Sequence, residues 1–203
     1  MKILIDENGV VRAWQVVGGG FNNTEYTTVE VNEIPEEVKE HSEKYCYIDG
    51  NYIDNPAYAP IELENTKKDK VQELSDTCTQ IIYAGCDVQV SDNTVQHFTL
   101  DEQDQLNLSG IGLKIAMGAT TVAWHEDDET SPCMFYSAEE ATKIIGTLTV
   151  FKEYHITYFR DLRIYVNSLS DIEEIKTIQY GFALPEEYKS EVLKEYERQL
   201  TNA

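Results

Sequence analysis

The chain has 203 residues, 41% of them hydrophobic, enough for one large or two small domains with a real core. Its 37 Asp and Glu residues against 16 Lys and Arg give a formal charge of −21, which argues against a nucleic-acid backbone or an anionic membrane as main partner. Residues 1–5 run straight into Asp6 and Glu7, and no apolar run reaches membrane-spanning length, so synthesis in the cytoplasm without membrane insertion is expected.

Residues 1–58 read as a small, mainly β module. Strands at 2–5 and 10–17 flank Asn8-Gly9, which supplies the positive φ angles of a tight turn. A β-branched strand follows at 27–31, and Pro35 at a first helical position opens a polar helix over 36–44. Strands at 45–48 and 51–53 enclose the turn Asp49-Gly50. The module is rich in aromatics. Core packing accounts for most of them, and Trp14, Tyr47 and Tyr52 are candidate interface residues.

Pro56 and Pro60 predict an extended linker, set at 59–66 between the module and a second domain at 67–184. A helix is expected over 66–83, with Val71, Leu74, Cys78 and Ile81 on one face and Gly85 ending it. Two similar units follow, each a hairpin leading into a helix. Phe98-Thr99-x-x-Glu102 and Tyr136-Ser137-x-x-Glu140 both have capping-box spacing and are offset by 38 residues. In the first of these helices Asp101, Glu102 and Asp104 suit the positive end of the helix dipole. Gly110 and Gly112 each cost about 1 kcal/mol relative to alanine, which suggests a face approached closely by another element.

The second helix is long. Ala141, Ile144, Leu148, Phe151, His155, Tyr158, Leu162, Tyr165 and Leu169 alternate steps of three and four, the seam of a helix packed along others. Roughly thirty residues make a rod of about 45 Å, long enough to reach a neighbouring element or subunit. Ser170 with Glu173 predicts a further capped helix carrying Ile172, Ile175 and Ile178. Pro185 opens a C-terminal amphipathic helix over 185–203, whose stripe of Tyr188, Val192, Tyr196 and Leu200 needs a cover. Tyr188 and Tyr196 join the candidate interface residues. The fold class expected is α+β.

No constellation for chemistry emerges. Cys46, Cys78, Cys86 and Cys133 form no C-x-x-C and are expected as free thiols. Cys86, His97, His125 and Cys133 lie at hairpin ends, but their spacing matches no structural zinc site. His125-Glu126 lacks the second histidine of a zinc protease, and Asp127-Asp128-Glu129 lacks the glycine and ligand spacing of a calcium loop. Gly18-Gly-Gly20 has no phosphate-loop lysine, and His155 has no assignable nucleophile. Neither catalytic residues, cofactor nor metal are expected, and Thr99, Glu102, Ser137 and Glu140 are assigned to helix caps.

The segments 97–108, 117–119, 124–125, 134–140 and 154–162 resemble a domain of unknown function that recurs in tail-fibre and baseplate proteins of tailed phages and related prophage particles. The stretch 172–181 is similar to its Gram-positive versions, and coverage is about 66–184. The resemblance implies a non-enzymatic structural or adaptor protein of a virion tail or baseplate, oligomeric, joining the baseplate to a tail fibre or receptor-binding protein. The alternatives are a fibre-assembly chaperone and, in another class, a cell-wall carbohydrate hydrolase using acids near Asp101, Glu102 and 126–129.

Overall fold

The computed structural model describes residues 1–16, 18, 21, 25–127 and 130–201, and the chain divides into two compact units, Met1–Asn65 and Thr66–Ala203. The architecture is α+β. Val17, Gly19-Gly20, Asn22-Asn23-Thr24, Asp128-Glu129 and Asn202-Ala203, the end of the expected C-terminal helix, lie outside the described residues. So do parts of the expected glycine turn and acidic hairpin tip.

In the first unit β1 (Lys2–Ile5) is the middle strand of an antiparallel sheet, between β2 (Val11–Gln15) and β3 (Thr27–Glu30). Gly9 alone carries positive φ at the first turn, at 79°. Asn8 does not need to, because the Asp6 carboxylate organises the turn by accepting from the N–H groups of Asn8 (2.9 Å) and Val10 (3.0 Å). The expected helix over 36–44 is broken. It splits into α1 (Glu36–Glu40) and a 3-10 turn at Ser42–Lys44, because His41 leaves helical geometry at φ −139°. Next come β4 (Tyr45–Ile48) and β5 (Asn51–Asp54), joined through Asp49 (φ 51°) and Gly50 (φ 85°), both positive as a two-residue hairpin turn requires. Ile3, Val11, Val31, Ile34 and Val38 form the buried core.

The extended linker expected at 59–66 is a helix instead. α2 (Tyr58–Ala84) contains Pro60 in its first turn, where the N–H that proline lacks would have no intrahelical partner. The Asn55 side chain accepts from the Ala57 N–H at 3.0 Å and leads the chain into it. In the second unit α2 buries Leu74, Cys78 and Ile82, one residue beyond the expected Ile81.

Two hairpin-and-helix units follow: β6 (Cys86–Ser91), β7 (Thr94–Phe98) and α3 (Glu102–Ala116), then β8 (Thr121–Trp124), β9 (Met134–Ser137) and α4 (Ala138–Ser168). Their inward faces make one core, in which Val88, Phe98, Leu108, Ile111, Ile144 and Leu148 are almost wholly inaccessible. α5 (Ile172–Thr177) is capped by Asp171 rather than by Ser170. Its carboxylate accepts from the Glu173 N–H (2.8 Å) and the Glu174 N–H (3.4 Å), reach a seryl hydroxyl one residue earlier does not have.

The C-terminal helix also differs from expectation. Pro185 opens only a 3-10 turn (Glu186–Tyr188), and α6 (Glu191–Thr201) begins after Ser190. α6 packs on α4 through the fully buried Leu193 and the half-buried Tyr196, while Val192 and Leu200 of the expected stripe remain 54% and 48% exposed. The packing face is set by Ser190. Its backbone N–H donates to the buried Asp161 carboxylate of α4 at 2.8 Å, and its hydroxyl accepts from Leu193 N–H at 3.2 Å.

Candidate functional site

Titratable and aromatic side chains converge at a cleft of about 460 Å³ in the second unit, between α2, α4 and the segment after α5. His155 projects from α4 with its Nδ1 3.1 Å from the Tyr180 hydroxyl, and that hydroxyl also donates to the His155 carbonyl at 3.3 Å. From α2, the Cys78 thiol donates to the same carbonyl at 3.5 Å. The rings of Tyr154 and Tyr158 stack at 6.2 Å, and Tyr158 meets Tyr180 edge-on at 5.1 Å. At the rim Lys189 bridges Glu186 (2.8 Å) and Glu197 (3.1 Å).

Burial sets the protonation of the cluster. It lowers the His155 pKa, raises that of the Cys78 thiol, moves Tyr158 up to about 12, and lifts Tyr180 far above the ordinary tyrosine range. At neutral pH the imidazole, thiol and phenols are therefore all uncharged. Cys78 stands beside His155 but faces its carbonyl, so the pair is not an activated thiolate with its base. The cleft offers aromatic faces and neutral hydrogen-bonding groups. Its members are 77 and 25 residues apart in sequence, which is why residue spacing alone assigns His155 no neighbour.

The residues proposed as caps resolve unequally. Ser137 and Glu140 form the full box, the hydroxyl accepting from the Glu140 N–H at 3.2 Å and the carboxylate from the Ser137 N–H at 2.8 Å. The Ser137 N–H, and then the Ser137 hydroxyl, which donates to the same carboxylate at 2.8 Å, hold the Glu140 carboxyl below its usual pKa. The Thr99/Glu102 box is not formed. Leu100 is buried and its N–H bonds to the Tyr83 carbonyl, so the chain stays extended for two more residues and Asp101 becomes the cap. Asp101 accepts from Asp104 N–H at 2.8 Å. The buried Asp104 carboxylate reaches back to Asp101 N–H (3.3 Å) and also accepts from the Thr99 hydroxyl (2.7 Å). Glu102 accepts instead from the Tyr83 hydroxyl at 2.9 Å. Of the acids considered for a hydrolase, Asp101 is thus held by a helix-end N–H and Glu102 by Tyr83, and Glu126 accepts from the Ser131 hydroxyl at 3.1 Å.

The two histidines of the zinc quartet, which spacing already disfavours, are occupied by other contacts. His97 lies between Asp87 (2.7 Å from Nδ1) and the Ala84 carbonyl (2.8 Å from Nε2), and His125 stacks on Trp124 at 4.7 Å. Among the described residues no group of three His, Cys, Asp or Glu is placed to hold a metal, and no helix is long and apolar enough to cross a membrane.

The aromatics proposed as interface residues are mostly engaged. Tyr47 and Tyr52 pack on each other at 4.9 Å, and Tyr52 donates to the Glu33 carbonyl at 3.3 Å. Tyr188 packs against Tyr165 at 5.0 Å, and Tyr196 donates to Glu153 at 2.7 Å. Trp14 keeps 38% of its surface exposed while its indole N–H donates to the Lys39 carbonyl at 3.0 Å. Other apolar side chains are more exposed: Phe135 (82%) on β9, and Leu106 (68%), Leu113 (63%) and the C-cap residue Met117 (80%) along the outward face of α3. The close approach expected at Gly110 and Gly112 does not occur there: a Cβ at Gly110 would meet nothing within 4 Å, and one at Gly112 would touch only Ile145 at 3.8 Å.

Residues 65–180, more than half of the chain, match the family described as a domain of unknown function, DUF4376, and the protein belongs to that family. No curated protein and no solved structure matches the chain.

Proposed function

We propose that the protein is a non-enzymatic structural or adaptor component of a phage tail or baseplate, linking the baseplate with a tail fibre or receptor-binding protein. The phage context rests on the resemblance of segments 97–108, 134–140 and 154–162 to tail proteins. The observation that carries the non-enzymatic part is the use made of buried carboxylates. Asp104 and Asp161, the two buried acids among the described residues, accept from backbone N–H groups where α3 and α6 begin. Such bonds build a rigid framework and leave no acid turned toward the His155 cleft from these positions.

Mass spectrometry of purified particles tests the reading. The protein should be present in defined stoichiometry and should co-purify with neighbouring tail proteins after particle disassembly. Confinement to the host cytosol would overturn the virion role, and binding to the fibre protein without retention in particles would identify an assembly chaperone instead.

A further inference from the structure

Leu106, Gly110 and Leu113 of α3 and Met117 at its C-cap recur at steps of four, three and four residues, which puts them in one line along the helix at 100° per residue. That line lies opposite the buried Leu108 and Ile111, and its three side chains are 63–80% exposed. Residues 105–125 are also the longest stretch of the chain without Asp or Glu, and Lys114 is their one Lys or Arg. In a chain of charge −21 an apolar, acid-free strip is a selective feature.

We infer that this face of α3 docks on the same face of a second copy of the chain, the two helices running antiparallel about a two-fold axis. The spacing reads identically in both directions. An axis between Ile111 and Gly112 sets Leu106 of each copy against Met117 of the other and directs Leu113 into the notch at Gly110. Such self-complementarity is what an isologous contact requires. Asp101 and Glu102 fall beyond the ends of the paired stretch, and antiparallel helix dipoles attract. Charge selects the occupant. A basic partner would be drawn to the acids that cover the rest of the surface, whereas a second strongly acidic copy can approach only where acids are missing. The strip is about 17 Å long, shorter than stable interfaces need, so the dimer is weak and forms in the micromolar to millimolar range.

Sedimentation equilibrium of the full chain from about 10 μM to about 1 mM covers that range. The mass should rise from 23.2 kDa toward twice that value. Leu113→Glu should remain monomeric, a loss of affinity of at least about tenfold, with an unchanged circular dichroism spectrum. Gly110→Leu fills the notch and should weaken the dimer while raising the melting temperature of the monomer, a combination that a purely structural role for Gly110 would not produce. In a Cys133→Ser background, Leu106→Cys mixed with Met117→Cys should cross-link on mild oxidation and neither should do so alone. A monomer throughout the range, a dimer indifferent to Leu113→Glu, or cross-linking within the single-variant samples would overturn the proposal.

Discussion

Phe98 and Tyr136, equivalent residues at the ends of the two hairpins, meet edge-on with ring centroids 6.1 Å apart. Each closes its own hairpin and precedes its own helix, so the contact locks the two repeats together at matching points. The Tyr136 hydroxyl adds a bond to Gln96 at 3.1 Å. Phe98 is 1% exposed, and Phe98→Ala should destabilise the second unit by about 3–5 kcal/mol in chemical denaturation. Tyr136→Phe should cost about 1 kcal/mol, the value of one hydrogen bond.

Gly85 should be intolerant of any side chain. It joins α2 to β6 at φ 75°, and a Cβ there would run into the Phe98 carbonyl. Gly85→Ala should therefore destabilise by well over about 1 kcal/mol. Gly146, in the body of α4, has open space around the Cβ position, and Gly146→Ala should stabilise by about 0.5–1 kcal/mol. Thermal unfolding of the two variants should move in opposite directions.

The two histidines should give opposite pH dependences. The hydrogen bond to Asp87, then the Ala84 carbonyl, raise the His97 pKa, because a ring donating from both nitrogens must be protonated. Its contribution is full below about pH 6.5, the unfolded value, and is lost as pH rises through the higher folded value. Since His97 is partly exposed, the effect is less than about 1 kcal/mol. Burial lowers the His155 pKa. Its neutral form is favoured in the fold, so that contribution is full above about pH 6.5 and is lost as pH falls toward the folded value. Comparing denaturation of His97→Gln and His155→Gln with the parent from about pH 5 to about pH 8 checks both signs.

Thiol labelling should resolve the four cysteines. Cys133 is exposed and should react first. Cys46 and Cys78 are buried, and desolvation followed by the nearby Asp87 lifts the Cys86 thiol to about 11. One fast thiol per chain in native buffer, abolished by Cys133→Ser, is the expected outcome.

Replacing caps should discriminate between adjacent candidates. Asp101→Ala and Ser137→Ala should each cost about 1 kcal/mol, because each removes an acceptor from a helix N-terminus. Glu102→Ala should cost less, since it loses only the bond from Tyr83.

The same residues show what spacing can and cannot reveal. At Ser137 one cap-forming residue stands before a clean heptad-like pattern, and the box follows from sequence. Around α3, Thr99 and Asp101 are both competent, and the choice turns on Leu100 being drawn into the core, a tertiary fact. Ser170 and Asp171 repeat that ambiguity. Pro60 misleads in another way, since proline breaks a helix interior but is tolerated in a first turn, and only the position of the helix start separates the cases. The His155 cleft is assembled from three separate segments and has no local pattern at all. The outward strip of α3 was present in the sequence as a four-three-four repeat, overlapped by the inward Leu108 and Ile111 that mask it.

One consequence of α4 concerns cooperativity. Ala141, Ile144 and Leu148 are buried near its start, and Tyr158, Leu162, Tyr165 and Val166 are buried farther along, where Tyr165 stacks on Phe182 at 5.4 Å. A single hydrogen-bonded ladder of 31 residues runs through both groups. Melting either end exposes apolar surface there and also removes the support that keeps the other end helical. The hairpin half and the C-terminal half of this unit should therefore lose structure in one transition. Amides near the middle of α4 should exchange with solvent only through global unfolding.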